Sequence, residues 1–293
     1  MNKRILTCLA LCIVAVASLV LGVSSCKSKV MNEKKNLLLV IDAQNDFCSP
    51  DGSLFVSGAV EDMKRLVGFI NSNSSKLSNV VLTQDSHHVL DIAHPGFWTD
   101  KNGKPVEAFT QITSQQVTDG EYLPRENKEQ VIQYLKELED NGEFTHTIWP
   151  EHCIVGSVGG AIFPPVMEAI SNWERSQGTR FTLYQKGLNP YTEHFGALRA
   201  NVIDKTDKST DYNQELIAQL KDADRIIIAG EAKSHCVANT VKQIYELGGI
   251  KAEIVILSDC MSPVTGFETL GEDVYKMAAE KGANVASSTE VTL

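Results

Sequence analysis

Arg225-Ile226-Ile227-Ile228-Ala229-Gly230 runs directly into Glu231-Ala232-Lys233-Ser234-His235-Cys236, and then into Val237, Val241, Ile244 and Leu247 at helical spacing. The first half is apolar at successive positions rather than alternating, as a strand covered on both faces requires. The last part places its apolar residues on one side and stops at Gly248-Gly249, a helix-end signal. A buried strand leading straight into an amphipathic helix is the repeating unit of a parallel sheet with helices on both faces.

Working outward, similar β-branched runs occupy 37–42, 80–84, 144–149, 181–185 and 253–258, with a further short one at 284–287. Helical patterns separate them. Residues 126–140 put Val131, Leu135 and Leu138 on one stripe, and Asp211 with Gln214 reads as a capping box ahead of Leu216, Ile217 and Leu220. The expected fold class is α/β: a three-layer α/β/α sandwich around a mostly parallel six-stranded sheet, one domain over 37–293. Residues 99–143 read as an insertion between the second and third strands.

The first residues have another purpose. Lys3 and Arg4 precede an apolar stretch at 5–23, and Val23-Ser24-Ser25 leads into Cys26. This is the pattern of a secretory signal at 1–25. The Cys after the small residues resembles the lipobox of bacterial lipoproteins, in which it is lipidated; an uncleaved membrane anchor is the alternative. Residues 26–36 then read as a polar tether. Either way the globular part is expected outside the cytoplasm, on the periplasmic side or at the cell surface, held to the membrane by lipid at Cys26.

Without Lys3 and Arg4, 25 basic residues stand against 37 acidic ones, a net of −12. With no Lys/Arg cluster, nucleic-acid binding is excluded as an expectation. Of seven cysteines, Cys8 and Cys12 leave with the signal. Cys48, Cys153, Cys236 and Cys260 are widely spaced without CxxC pairing, which is no disulfide framework, although one bridge is permitted.

Open α/β sheets place their chemistry at the carboxyl ends of the strands. The first strand ends in Asp42, ahead of Gln44-Asn45-Asp46-Phe47. The second ends in Asp85-Ser86-His87-His88, whose Asp85 and His87 alternate and can point to one side. One carboxylate and one imidazole suit a divalent transition metal. The next run leads into Trp149-Pro150-Glu151-His152-Cys153, which makes His152 a third ligand. His94 is a candidate fourth, with an ordinary loop histidine as the alternative; His88 and His146 read as structural. Lys186 ends the fourth run and pairs with Asp42 if their strands are neighbours. Cys236 sits at or near a helix N-terminus, where negative charge is stabilised and a thiol pKa is lowered. Backbone N–H groups there can serve an oxyanion. Acid, cation and thiol together make an activated nucleophile. Ser234 is the weaker variant, lacking a His–acid pair.

These motifs, in this order over roughly 37–262, resemble the isochorismatase-like cysteine hydrolases, and within them the nicotinamidases. The resemblance implies a catalytic triad of Asp42, Lys186 and Cys236 and one divalent metal, zinc first and manganese or iron as alternatives, on Asp85, His87 and His152. It places Phe47 and Trp149 about a pyridine ring, a cis peptide at Glu231-Ala232, and an oxyanion hole on the N–H groups of Ala232 and Cys236. The implied reaction takes nicotinamide to nicotinate and ammonia through a Cys236 thioester, with the metal engaging the pyridine nitrogen or a water whose pKa it lowers. The longer loop after His87 departs from compact relatives. The insertion is expected to cover the pocket or to build a homo-oligomer contact, and export puts the physiological amide in question. The rivals are an isochorismatase or metal-free amidase acting on another small molecule, and an inactive pyridine-binding lipoprotein; the Cys, the metal set and the intact triad argue against each in turn.

Overall fold

In the computed structural model, which describes residues 34–293, the strands in chain order are β1 (Asn36–Ile41), β2 (Leu77–Asp85), β3 (Trp98–Asp100), β4 (Gln111–Ile112), β5 (Tyr122–Pro124), β6 (His146–Thr147), β7 (Thr182–Lys186), β8 (Arg225–Gly230), β9 (Glu253–Leu257) and β10 (Asn284–Ala286). The proposed signal at 1–25 and Cys26 lie outside the described residues, and the strand at the tether's end begins at Asn36 rather than Leu37.

One six-stranded sheet has the order β10-β9-β8-β1-β2-β7, and every pairing in it is parallel. Successive side chains of a strand point to opposite faces. Leu38 and Val40 therefore pack into one core with the helices Ala59–Asn73 and Pro164–Gln177. Leu37, Leu39 and Ile41 pack into another with Gln214–Asp222, Ala238–Leu247 and Glu272–Glu280. Burial on both faces explains why β1 and β8 are apolar at nearly every position. The three-layer α/β/α arrangement is the expected one.

The membership of the sheet differs from expectation. The run at 144–149 is not one of its strands: only His146–Thr147 form a strand, antiparallel to β4 and away from the main sheet. Its apolar residue Ile148 instead fills a third core with Ile112, Trp98, Val131 and Leu135, distinct from the two cores against the sheet. The sixth strand is β10, whose Val285 is partly exposed. The helix after Asp211 also starts differently. Its cap is Asn213, whose Oδ1 accepts the Leu216 N–H at 3.0 Å. Asp211 instead closes a preceding 3₁₀ turn.

The chain passes from β1 to β2 and β7 on one side, and through β8, β9 and β10 on the other. The strand order thus reverses between β1 and β8, and a crevice opens at their carboxyl ends. Asp42 and the turn from Glu231 to Cys236 stand there.

Candidate active site

Asp42 follows β1 with φ at 43°, the left-handed region that few non-glycine residues adopt. Thr83 of β2 holds it there: the Asp42 N–H donates to Thr83 Oγ1 at 3.1 Å, and that hydroxyl donates to Asp42 Oδ1 at 2.6 Å. Lys186 ends β7 directly opposite Asp85 at the end of β2. Since β2 lies between β1 and β7, Lys186 and Asp42 are not on neighbouring strands. The Lys186 side chain reaches across instead, placing Nζ 2.8 Å from Asp42 Oδ2, 3.0 Å from Asp85 Oδ1 and 3.7 Å from Cys236 Sγ.

Cys236 is delivered by a tight passage. Gly230 has φ at 124°, and a Cβ there would collide with the Ile41 backbone oxygen, so only glycine lets β8 end this close to β1. The Glu231–Ala232 peptide is cis. A single turn of π-helix, Lys233–Val237, then carries the thiol ahead of the α-helix Ala238–Leu247. The N–H groups of Ala232 and Cys236 donate to no acceptor outside this turn among the described residues.

All of these groups are buried, Asp42 completely. Burial pushes Asp42 above the usual carboxylate range, opposed by Lys186 and reinforced by Asp85. Burial opposes charge on Lys186 too, but Asp42 and Asp85 outweigh it and hold the ammonium well above its ordinary value. Burial also pushes the Cys236 thiol well up; Lys186 opposes this and Asp42 adds to it. The lowered thiol pKa expected of a helix N-terminus is therefore not found. Burial and the carboxylates of Asp42 and Asp85 raise the thiol instead, with Lys186 opposing them.

Beside the thiol, Asp85, His87 and His152 converge, with one ligand atom of each within 4.8 Å of the others. Asp85 Oδ2 lies 3.1 Å from His87 Nε2 and 3.6 Å from His152 Nε2. Burial disfavours charge on Asp85, yet His87 and Lys186 with hydrogen bonds from both imidazoles hold its carboxyl well below the usual range. The outer nitrogens are engaged elsewhere. His152 Nδ1 is 2.8 Å from the Pro150 carbonyl, and His87 Nδ1 is 3.1 Å from Asp91 Oδ2. With a metal bound, the Nε2 of each imidazole would face it as a lone pair, and the Pro150 carbonyl is placed to take the Nδ1–H of His152. The residues fit a divalent cation: one carboxylate, two imidazoles and a buried carboxylate behind one of them. His94 stands outside this cluster. Its Nε2 lies 3.2 Å from His152 Nδ1 and accepts the His152 backbone N–H at 3.4 Å, while its Nδ1 meets the His88 carbonyl. His88 contributes through that carbonyl, and His146 packs between Tyr134 and Trp98, away from the site.

The pocket at Cys236 is about 20 Å³ and is lined by Phe47, Trp149, His152, Phe195, His235 and Ala232 among others. Phe47 and Trp149 are both there, with the Phe47 ring 5.5 Å from His152. Sequence reading missed Thr83, Asp91, Phe195, His235 and Glu193. Gln44, quoted only as part of a motif, locks two strand ends together: its amide donates to the Asp85 carbonyl and accepts the Asp85 N–H. His235 Nδ1 faces the Ser234 hydroxyl at 2.8 Å, and that oxygen accepts the Val264 N–H. The Ser234 proton is thus directed to Nδ1, and His235 is neutral, burial pushing it down to about 3. The four described cysteines Cys48, Cys153, Cys236 and Cys260 are buried and free.

No family model matches the chain. It is 24% identical over 228 residues to a nicotinamidase of Saccharomyces cerevisiae, covering 78% of this chain and 88% of that protein. A nicotinamidase of Escherichia coli is 26% identical over 215 residues, covering 72% and 76%. The solved structure of the yeast nicotinamidase superposes with a TM-score of 0.60 at 22% identity, over 86% of this chain and 99% of that one. In sequence this chain is similar to these nicotinamidases, and it shares the fold of the yeast enzyme.

Proposed function

We propose that the chain is a metal-dependent cysteine amidase that hydrolyses nicotinamide to nicotinate and ammonia. The likeness to nicotinamidases supports a hydrolase acting on an amide C–N bond. The single observation that carries the chemistry is the placement of one buried ammonium, Lys186, within reach of Asp42, Asp85 and the Cys236 sulfur.

In this reading Asp42 accepts the Cys236 proton as the sulfur attacks the carboxamide carbon, and Lys186 offsets the charge developing on sulfur. The carbonyl oxygen becomes an oxyanion held by the N–H groups of Ala232 and Cys236. Asp42 returns the proton to the departing nitrogen, the C–N bond breaks, and ammonia leaves a thioester on Cys236. Water then adds to the thioester with Asp42 again accepting a proton, and nicotinate and the free thiol are restored. Phe47 and Trp149 hold the pyridine ring. Asp85, His87 and His152 would hold the metal, which when bound supplies Lewis acidity at the edge of the pocket. Its donor set suits zinc, with manganese and iron as alternatives. His94 orients His152 rather than binding the metal. The N-terminal pattern supports export and lipid anchoring at Cys26.

Turnover of nicotinamide by the full-length chain, supplied with zinc, manganese or iron in separate reactions, tests the reading. Equimolar nicotinate and ammonia are expected. Absence of both with every metal, for nicotinamide and for other heteroaromatic amides, overturns it.

A further inference from the structure

Behind the catalytic pocket lies a second cavity of about 210 Å³. Trp149, Phe195 and His235 line both spaces, so the two share part of their walls. The catalytic pocket itself has room for little more than a water molecule. The larger chamber is walled by aromatic rings: Phe144 and Phe267 join the three shared residues, with rings 5.1–5.9 Å apart around His235. The inserted region closes it with Gln111 and Leu138.

One lining residue is out of character. Glu193 is 3% exposed, and its Oε1 has no hydrogen-bond partner among the described residues. No Lys or Arg lines the chamber, and its histidines, His146 and His235, are held neutral by burial. An unpaired buried carboxyl is costly unless something completes it. Aromatic faces around a single carboxyl are the chemistry that recognises an organic cation. The mechanism above uses neither Glu193 nor the chamber.

We propose that this chamber is a second subsite of the same active site, and that it receives the distal end of an amide substrate bearing a positively charged nitrogen, which Glu193 meets. The inference rests on the amidase reading and deepens it. The preferred substrates are carboxamides longer than nicotinamide, with the amide at Cys236 and a cation beyond the wall formed by Trp149, Phe195 and His235.

The test uses the full-length, metal-loaded chain and benzamides carrying aminomethyl, 2-aminoethyl or 3-aminopropyl at the para position, each beside its neutral alkyl isostere. For at least one tether length the cationic amide is expected to have a KM at least about tenfold below that of its isostere. Glu193→Gln, which keeps the shape of the side chain, is expected to bring that ratio close to one. Calorimetric binding of the same pairs to the Cys236→Ala protein reads the preference without turnover. A protein that hydrolyses none of these amides but still binds the cationic member preferentially upholds the chamber while the amidase reading fails. Ratios near one at every tether length in the unaltered protein, or a preference that survives Glu193→Gln, overturn the proposal.

Discussion

Lys186 Nζ stands 2.8 Å from Asp42 Oδ2 although a whole strand, β2, separates their own strands. The contact is possible because Asp85, at the end of that intervening strand, is also a partner of the ammonium at 3.0 Å. Two carboxylates share one cation, so Asp42 and Asp85 are electrostatically one unit. Replacing Lys186 with Met would leave Asp42 buried without its counter-charge and Asp85 with His87 as its remaining partner. Breaking such a buried arrangement costs about 3–5 kcal/mol. Urea denaturation of Lys186→Met should show a loss of that size along with loss of turnover; unchanged stability would mean that the ammonium is not what holds the pair.

The raised pKa of Asp42 sets the acid limb of activity. Burial, opposed by Lys186 and aided by Asp85, places it above the ordinary aspartate value of 3.8. Asp42 must be ionised to accept the thiol proton, so kcat/KM should rise as the pH is raised through this shifted pKa. The limb belongs above pH 4, measured with metal content checked at each point. Activity undiminished down to the ordinary aspartate range would remove Asp42 as the base.

Metal affinity should depend on residues behind the ligands as well as on the ligands. His152→Ala removes an imidazole and should abolish stoichiometric metal in elemental analysis. Asp91→Asn keeps the shape but removes the negative charge 3.1 Å from His87 Nδ1, and should lower affinity about 10–100-fold, the usual effect of losing such an outer partner. Equal metal retention in both variants would place the cation elsewhere.

How much of this was legible in the sequence depended on whether a residue's role is local. β8 and the turn to Cys236 could be read because strand, glycine, thiol and helix follow one another in the chain. The run at 144–149 misled because apolarity reports burial and not which core is filled; Ile148 serves a core apart from the sheet. β10 gave a weak signal because an edge strand with a partly exposed Val285 needs little apolar character. Asp91 and Glu193 gave none, since their positions behind a ligand and in a chamber wall are set by tertiary packing alone. The position of Cys236 at a helix start suggested a lowered thiol pKa, and only the three-dimensional count of burial and nearby carboxylates reverses it.

Lipidation at Cys26 predicts a change in partitioning. The full-length chain should enter the detergent phase of a phase-separation extract, and its N-terminal peptide should carry acyl mass on Cys26. Cys26→Ser should lose that mass. An unmodified Cys26 in a membrane-bound chain would point to an uncleaved anchor instead.

The central claim is that the Cys236 sulfur attacks the amide. Ammonia release from nicotinamide by the metal-loaded full-length chain and by Cys236→Ala, with mass spectrometry of the protein quenched during turnover, tests it most directly. The account predicts ammonia from the unaltered chain, a covalent nicotinoyl mass on the peptide containing Cys236, and loss of activity by at least about a thousandfold in the variant. Undiminished ammonia release by Cys236→Ala would contradict it.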